Sequence, residues 1–255
     1  MLTPYWLGLH LLIVVITALF VTLGFWQLHR LETRQARNTL LESRLGLEPT
    51  PLATLLTDYD IDAPPASDAS IAYRPATVTG TYDAEYELLQ RSSEGYDGEP
   101  GYFVLTPLVL DNDQAVLIKR GWVPFELNTP PVAEASPPAG EVSVQGSVQL
   151  GRTPPTGFAA NLAPRDPPGE LDITAYSDLS RLSEQMPYKL LPVYLELQTQ
   201  SPTQDAALPR PPQPPVFTDG PHLGYAIQWF AFAVITVVGY GFFVRQGVRT
   251  EAKTS

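Results

Sequence analysis

The stretch HLGYAIQWF, residues 222–230, places a histidine, a tyrosine and a tryptophan within two helical turns at the start of a long apolar run. At about 100° per residue in a helix, one face carries His222, Tyr225, Ala226, Trp229, Ala233 and Tyr240. Polar and small residues on one face of an apolar helix normally point at another helix or at a bound group. The spacing therefore predicts that something other than lipid covers this face.

Two interpretations of His222 are open from the residues alone. A histidine at a membrane edge can act as an axial ligand of haem iron. Tyrosine and tryptophan are also enriched at membrane interfaces without any ligand, so the stretch equally suits an interfacial anchor. His29 ends the other apolar run of the chain, and it would lie in the same leaflet as His222 if the intervening chain loops out and back.

Two uncharged apolar runs, Leu7 to Leu28 and Leu223 to Val244, predict two transmembrane helices. Each would span about 33 Å as a helix, and the hydrocarbon core measures about 30 Å. The first run lacks a basic n-region and a small-residue cleavage site, which favours an uncleaved anchor over a signal peptide. Basic residues after the second run indicate a cytoplasmic C-terminus. The four arginines at 30–44 indicate the opposite orientation, with the domain between the runs in the cytoplasm. On balance the charges favour an extracytoplasmic domain.

Charge and composition exclude several functions for the long segment between the runs. Residues 45–221 hold 9 Lys and Arg against 24 Asp and Glu, which argues against binding nucleic acid or anionic lipid. The chain has no cysteine, and its three histidines, His10, His29 and His222, all lie in or beside the apolar runs. Disulfides, zinc ribbons and a Ser-His-Asp triad in this segment are therefore excluded. The acidic run 58–62 lacks the spacing of a calcium loop and is interpreted as a solvated loop.

Strict alternation of apolar and polar residues predicts strands at 76–82 and 142–150. Residues 101–110 and 115–123 form a predicted hairpin, 86–91 and 188–198 are further strands, and Pro192 places the last at an edge or a bulge. Helical spacing from Ile173 to Met186, ended by Pro187, predicts one helix. The sequence thus predicts a membrane-anchored α+β protein. Its two transmembrane helices would flank an antiparallel β-rich extracytoplasmic domain, a small barrel or sandwich of about six strands plus one helix.

The predicted segments follow in chain order. They are a first transmembrane helix (7–29), a juxtamembrane helical extension (30–45), the β-rich domain (46–201), a Pro-rich tether (202–221), a second transmembrane helix (222–244) and a cytoplasmic tail (245–255).

The stretch KRGWVPF, residues 119–125, carries a second candidate for ligand binding. On a strand Arg120 and Trp122 share a face, and Pro124 ends the pairing. The arginine can stack on the tryptophan or offer its guanidinium to a carboxylate such as a propionate. The alternative is structural, with an arginine at the solvent edge above a core tryptophan.

Three stretches together resemble the Surfeit locus protein 1 family, whose members assist assembly of cytochrome c oxidase. They are LGFWQLHRLETRQARN (23–38), GYFVLTPL with IKRGWVP (101–108 and 118–124), and PHLGYAIQWFAFA (221–233). The resemblance runs from about residue 5 to 245. It implies both termini in the cytoplasm, the large domain outside a bacterial plasma membrane, and a role in providing haem a to the catalytic subunit of the oxidase.

The resemblance also assigns residues. The proposed haem a ligand of the family falls on His222. On the hypothesis that His222 binds haem, Tyr225 and Trp229 would line the haem face, and Arg120 or Arg30 would meet a propionate. Other motif positions, with structural or partner-docking roles, are Trp26, Gln27, Gly121, Trp122 and Pro124. Gln228 replaces a threonine of the family motif, and His29 fills a variable position.

The expected function is that of an assembly factor and not of an enzyme, with haem a as a transient cofactor. Expected partners are the catalytic subunit of a haem–copper oxidase, membrane lipid and, as a further candidate, the machinery that makes haem A. A cofactor-free scaffold that docks on an oxidase subunit through Gly8, Gly24, Gly239 and Gly241 is the alternative. An enzyme that uses paired carboxylates is the third hypothesis.

Overall fold

The computed structural model describes residues 4–57, 70–204, 206–213 and 217–254. The predicted acidic loop at 58–62 lies outside these residues. The chain forms two compact units. The helical unit comprises residues 1–42 and 216–255, and the sheet unit comprises residues 43–215.

The described residues form four α-helices and eight strands, besides three short 3-10 helices. The helices are α1 (Pro4–Leu45), α2 (Leu52–Leu55), α3 (Leu179–Ser183) and α4 (His222–Thr254). The strands are β1 (Thr50–Pro51), β2 (Pro75–Tyr82), β3 (Leu88–Tyr96), β4 (Glu99–Val109), β5 (Gln114–Pro124), β6 (Glu141–Leu150), β7 (Ile173–Thr174) and β8 (Lys189–Ser201).

In the helical unit α1 packs against α4. Both helices are long and apolar enough to cross a membrane. Contacts run antiparallel along the pair, from His10 beside Tyr240, through the rings of Phe20 and Trp229 at 5.7 Å, to Gln27 beside His222. The helix face predicted to be covered is therefore covered in part by α1, and its small members Ala226 and Ala233 are buried.

The two helices pack tightly at Gly24. A Cβ atom at this position would lie 2.6 Å from the ring of Phe230, which also packs edge-to-face on Phe25 with ring centroids 5.4 Å apart. Small residues permit such close packing in a membrane, where van der Waals contact is a principal force between helices. Gly24 is therefore a packing residue of the helical unit.

The sheet unit is built on one mixed sheet of eight strands in the order β1-β2-β6-β8-β5-β4-β3-β7. Three pairs are parallel, β1 with β2, β3 with β7 and β5 with β8. The end of β2 also pairs with β4 over two residues, so the sheet curls. The prediction of about six antiparallel strands in a barrel or sandwich was wrong in strand number and pairing, because β8 inserts between β5 and β6 and two short strands extend the sheet.

Both faces of the sheet are covered by apolar side chains. One cluster contains inward residues of β2, β5, β6 and β8, such as Val116, Val144 and Leu195, and leucines of α2. The other places Leu105 and Leu117 against Leu179 and Leu182 of α3. Burial in β6 alternates along most of the strand, as its sequence pattern predicts.

The predicted hairpin is confirmed, since β4 and β5 pair antiparallel and join through residues 110–113. The strand containing Pro192 is central, which excludes the edge position. Its pairing with β5 shifts register between Ala115 and Leu117, which face Leu190 and Tyr194, so the bulge interpretation is correct. A bulge accommodates Pro192 because proline has no N–H to donate to the ladder.

The helix predicted from Ile173 to Met186 is much shorter in the structure. Ile173 and Thr174 form β7, and the Thr174 hydroxyl bonds to Asp166 and to the carbonyl of Tyr176. Such local side-chain bonds compete with helix formation. The helix begins only after Asp178, whose carboxylate accepts from the Arg181 N–H.

Gly24→Val should weaken the helical unit, because the added methyl groups would overlap the ring of Phe230. Overpacking of this kind costs about 1–3 kcal/mol. Gly8→Val is the matched control, since a Cβ at Gly8 would meet nothing within 4 Å. Thermal unfolding in mild detergent should show a lower Tm for the first variant only, and equal Tm values would contradict the packing of Gly24.

Candidate functional site

His222 is the first residue of α4, and its half-buried imidazole contacts α1. The Nδ1 atom lies 2.9 Å from Oε1 of Gln27. With the Gln27 amide oxygen toward the ring, as in this structure, Nδ1 is the nitrogen that carries the proton and donates, because an amide oxygen only accepts hydrogen bonds. In the neutral ring the lone pair then resides on Nε2, which is the form of histidine that binds a metal. The contact with Gln27 therefore leaves Nε2 as the unprotonated nitrogen of the neutral ring.

The segment before His222 is held by the extension of α1. The carbonyl of Thr218 accepts from Arg34 Nε at 3.1 Å and from Asn38 Nδ2 at 3.3 Å. Asp219 accepts from the amide of Gln35 at 3.0 Å. Because Gln27, Arg34 and Asn38 recur at helical spacing, one face of α1 positions both the imidazole and the turn that leads to it.

An arginine that the sequence analysis did not assign lies beside His222. A Cβ atom at Gly220 would lie 3.6 Å from His222 Nε2 and 3.6 Å from Arg34 Nη1. Gly220 has a φ of +67°, a conformation that favours glycine. The imidazole and the guanidinium therefore border the same small space. Seven-residue spacing from Gln27 would have placed Arg34 on the same face of α1, but only the pairing of the helices shows that His222 is there.

The other predicted residues of the helical unit are placed differently. Tyr225 is 48% exposed, and Trp229 packs on Phe20 and Phe232. Arg30 is exposed, and Trp26 is 53% exposed. His29 is also exposed and lies 3.9 Å from Glu32. The structure thus joins His222 to Gln27 directly, and the roles of the other residues toward a ligand stay predictions.

Arg120 lies in the interior of the sheet unit. Its side chain has no exposed surface and forms an ion pair with Glu87 at 3.3 Å. It also bonds to Gln204 at 2.6 Å and lies over the ring of Tyr82. The propionate contact predicted for Arg120 would require a guanidinium that solvent and ligands can reach, whereas this one is enclosed. Its contacts assign it instead to the core.

The buried pair is embedded in hydrogen bonds. Glu87 accepts from the Val132 N–H at 2.8 Å and from the Thr106 hydroxyl at 2.9 Å. Burial raises the pKa of Glu87, and these bonds together with Arg120 oppose the rise. Burial likewise lowers the pKa of Arg120, while Tyr82 and Glu87 oppose that effect. Each charge therefore depends on the other, because an unpaired charge in this position would be strongly unfavourable.

Trp122 binds the Pro-rich tether. The backbone N–H of Trp122 donates to the Arg210 carbonyl at 2.7 Å, and the backbone N–H of Arg210 donates to the Trp122 carbonyl at 2.9 Å. The cation over the Trp122 ring is Arg210, at 5.0 Å, and not Arg120. A Cβ at Gly121 would lie 2.2 Å from the Arg210 carbonyl oxygen, so this position requires glycine. β5 ends at Pro124, as predicted. The R-G-W-V-P motif therefore holds the tether against the sheet.

The sheet unit also contains a cavity of about 740 Å³ beside α2 and the β4–β5 turn. Its lining is mostly apolar, with Leu56, Val78 and Leu191, and Asp111 is its one ionisable residue among those that the structure describes. No histidine, arginine or lysine is among them. The cavity thus lacks the imidazole and the guanidinium that lie together at the His222 site.

Two helices that are long and apolar enough to cross a membrane, together with a mixed-sheet domain, are consistent with a membrane-anchored α+β protein. A model of the SURF1 family matches residues 14–234, and the chain belongs to this family.

The chain is similar to relatives that cover between 42% and 99% of its length. An uncharacterized SURF1-like protein of Mycobacterium tuberculosis is 29% identical over 99% of this chain and 88% of its own length. Human Surfeit locus protein 1 is 27% identical over 89% of this chain and 73% of its own length. The cytochrome oxidase assembly protein SHY1 of Saccharomyces cerevisiae is 32% identical over 42% of this chain and 26% of its own length.

Arg120→Met should destabilise the protein strongly, because it leaves Glu87 buried without its cation. The loss of one partner of a buried pair costs about 3–5 kcal/mol. Urea unfolding of the full chain in detergent, followed by tryptophan fluorescence, measures the change. Lys119→Met is the control, since the neighbouring Lys119–Glu196 pair is partly exposed and contributes about 1 kcal/mol or less. Similar losses for the two variants would contradict the assignment of Arg120 to a buried pair.

Proposed function

We propose that this protein is a membrane-anchored assembly factor of cytochrome c oxidase that binds haem a through His222 and aids its insertion into the catalytic subunit. Family membership supports the general role, since one relative is named as a cytochrome oxidase assembly protein. The proposal assigns no catalytic step to the chain. Haem would be a transient cargo. The partners of the protein would be the oxidase subunit and the machinery that supplies haem A.

The hydrogen bond between Gln27 and His222 is the observation that carries the haem proposal. Haem iron binds the unprotonated nitrogen of a neutral imidazole, and a hydrogen bond to the other ring nitrogen orients such a ligand. Gln27 provides that bond here. Among the described residues no three of His, Asp and Glu converge, so one histidine and a prosthetic group suit this site better than a free metal ion.

We further propose that both termini are cytoplasmic and that the sheet unit lies outside the plasma membrane of a bacterium. Bacterial relatives and the basic residues that follow the second apolar run support this orientation. The arginines after the first run oppose it by the same rule. One of these arginines, Arg34, has a local structural role that is independent of orientation, because it donates to the Thr218 carbonyl.

A cofactor-free scaffold is the second candidate, and three glycines favour it. A Cβ atom added at Gly8, Gly239 or Gly241 would meet nothing within 4 Å, so these positions leave open surface for a partner helix. Gly24, the fourth glycine expected to dock, is covered by Phe230 instead. Copurification with an oxidase subunit from a haem A-producing host, without haem in the preparation, would support the scaffold.

His222→Ala should abolish haem binding, because it removes the nitrogen that would ligate the iron. The full chain is expressed in a host that makes haem A, purified in mild detergent and examined by optical spectroscopy. The wild-type protein should show a red-shifted haem a band, and the variant should show none. His29→Ala is the matched control and should retain the band, since His29 is exposed on α1.

Circular dichroism and gel filtration would establish that both histidine variants are folded. An undiminished band in His222→Ala would exclude His222 as the ligand. The absence of a band in the wild-type protein would exclude haem binding and leave the scaffold.

A further inference from the structure

The space beside His222 Nε2 is bordered by a guanidinium that is already fixed in place. Arg34 Nε donates to the Thr218 carbonyl, which also accepts from Asn38. Nη1 of the same arginine and Nε2 of His222 each lie 3.6 Å from the Cβ position of Gly220. A side chain at residue 220 would enter the space between them, and glycine leaves it open.

Arg34 has hydrogen-bonding capacity that its protein contacts do not use. A guanidinium has five N–H donors, and the Thr218 carbonyl takes the one on Nε. Within the described part of the chain, no carboxylate lies within 4 Å of this guanidinium. The remaining donors are therefore held next to His222 without an anionic partner. This contrasts with Arg120, whose charge is neutralised by Glu87.

We propose that Arg34 binds a carboxylate of the ligand that His222 holds, which for haem is a propionate. The inference rests on the proposed function and adds the residue that recognises the acidic edge of the porphyrin. A guanidinium matches a carboxylate because two parallel N–H···O bonds form between them.

The first turn of α4 adds to the attraction. His222 begins this helix, and the unpaired N–H groups of a helix N-terminus favour negative charge. Arg34, by contrast, carries a full charge and specific donors. We therefore expect Arg34 to determine whether the ligand must be an acid, while His222 determines whether it must contain a metal.

A comparison of two porphyrin probes tests the proposal. Haemin, with free propionates, and haemin dimethyl ester, with both blocked, are titrated into the full chain in mild detergent, and the Soret band reports binding. The wild-type protein should bind haemin about tenfold more tightly than the ester, as expected for one ion pair of about 1.4 kcal/mol. Arg34→Gln should lose this preference by weakening the binding of haemin, with little effect on the ester.

Arg37→Gln is the matched control, because Arg37 is an exposed arginine on the same helix. It removes the same charge and should keep the tenfold preference. Arg34→Lys should keep part of it, since the charge remains and the paired donors are lost. If Arg34→Gln does not fold, the wild-type comparison of the two probes and Arg34→Lys still decide the matter.

Three outcomes would overturn the role of Arg34 alone. The first is equal affinity of the wild-type protein for haemin and its ester, with binding of both lost in His222→Ala. The second is an undiminished preference for haemin in Arg34→Gln, and the third is loss of this preference in Arg30→Gln and not in Arg34→Gln. Failure of the proposed function gives a different result, in which the wild-type protein binds neither porphyrin or His222→Ala binds both.

Discussion

The hydrogen bond from His222 to Gln27 is the contact on which the candidate site depends. It joins α4 to α1 at the end of their apolar segments and fixes the ring nitrogen that carries the proton. Close packing at Gly24 brings the helices together, and bonds from Arg34 to Thr218 hold the turn that precedes the histidine. Ordinary helix packing thus produces a polar site, because α1 carries apolar contacts at Gly24 and polar contacts from Gln27 to Arg34 on the face toward α4.

The sheet unit has a different internal constraint, the buried pair of Arg120 and Glu87. Both side chains are fully buried, Arg120 donates to Gln204 of the tether, and the neighbouring Trp122 pairs with Arg210. The R-G-W-V-P motif therefore stabilises the sheet and binds the chain that leaves it. Residues that a motif marks together need not share a ligand, and here they share a structural role.

Sequence patterns correctly predicted the structural elements that depend on residues close together in the chain. The two long apolar helices, the alternating strand β6 and the β4–β5 hairpin follow from periodicity and turn residues. Long-range pairing did not follow, so the central position of β8, the parallel pairs and the stacking of Arg210 on Trp122 were missed. The helix predicted from Ile173 to Met186 was too long, because the side-chain hydrogen bonds of Thr174 outweighed the helical spacing of the apolar residues. At the candidate site the sequence identified His222. It could not identify Arg34, because the position of Arg34 beside His222 depends on which residues of α1 face α4.

The most direct test of the central claim is the protonation state of the His222 ring in the ligand-free protein. The histidines are labelled with ¹⁵N, and NMR in detergent, at a pH where the imidazole is neutral, identifies which nitrogen carries the proton. A His222→Gln variant assigns the signal. We expect a protonated Nδ1 and an unprotonated Nε2, with this preference lost in Gln27→Leu. A proton on Nε2 in the wild-type protein would contradict the proposed ligand role of His222, because the nitrogen proposed to bind the iron would then carry a hydrogen.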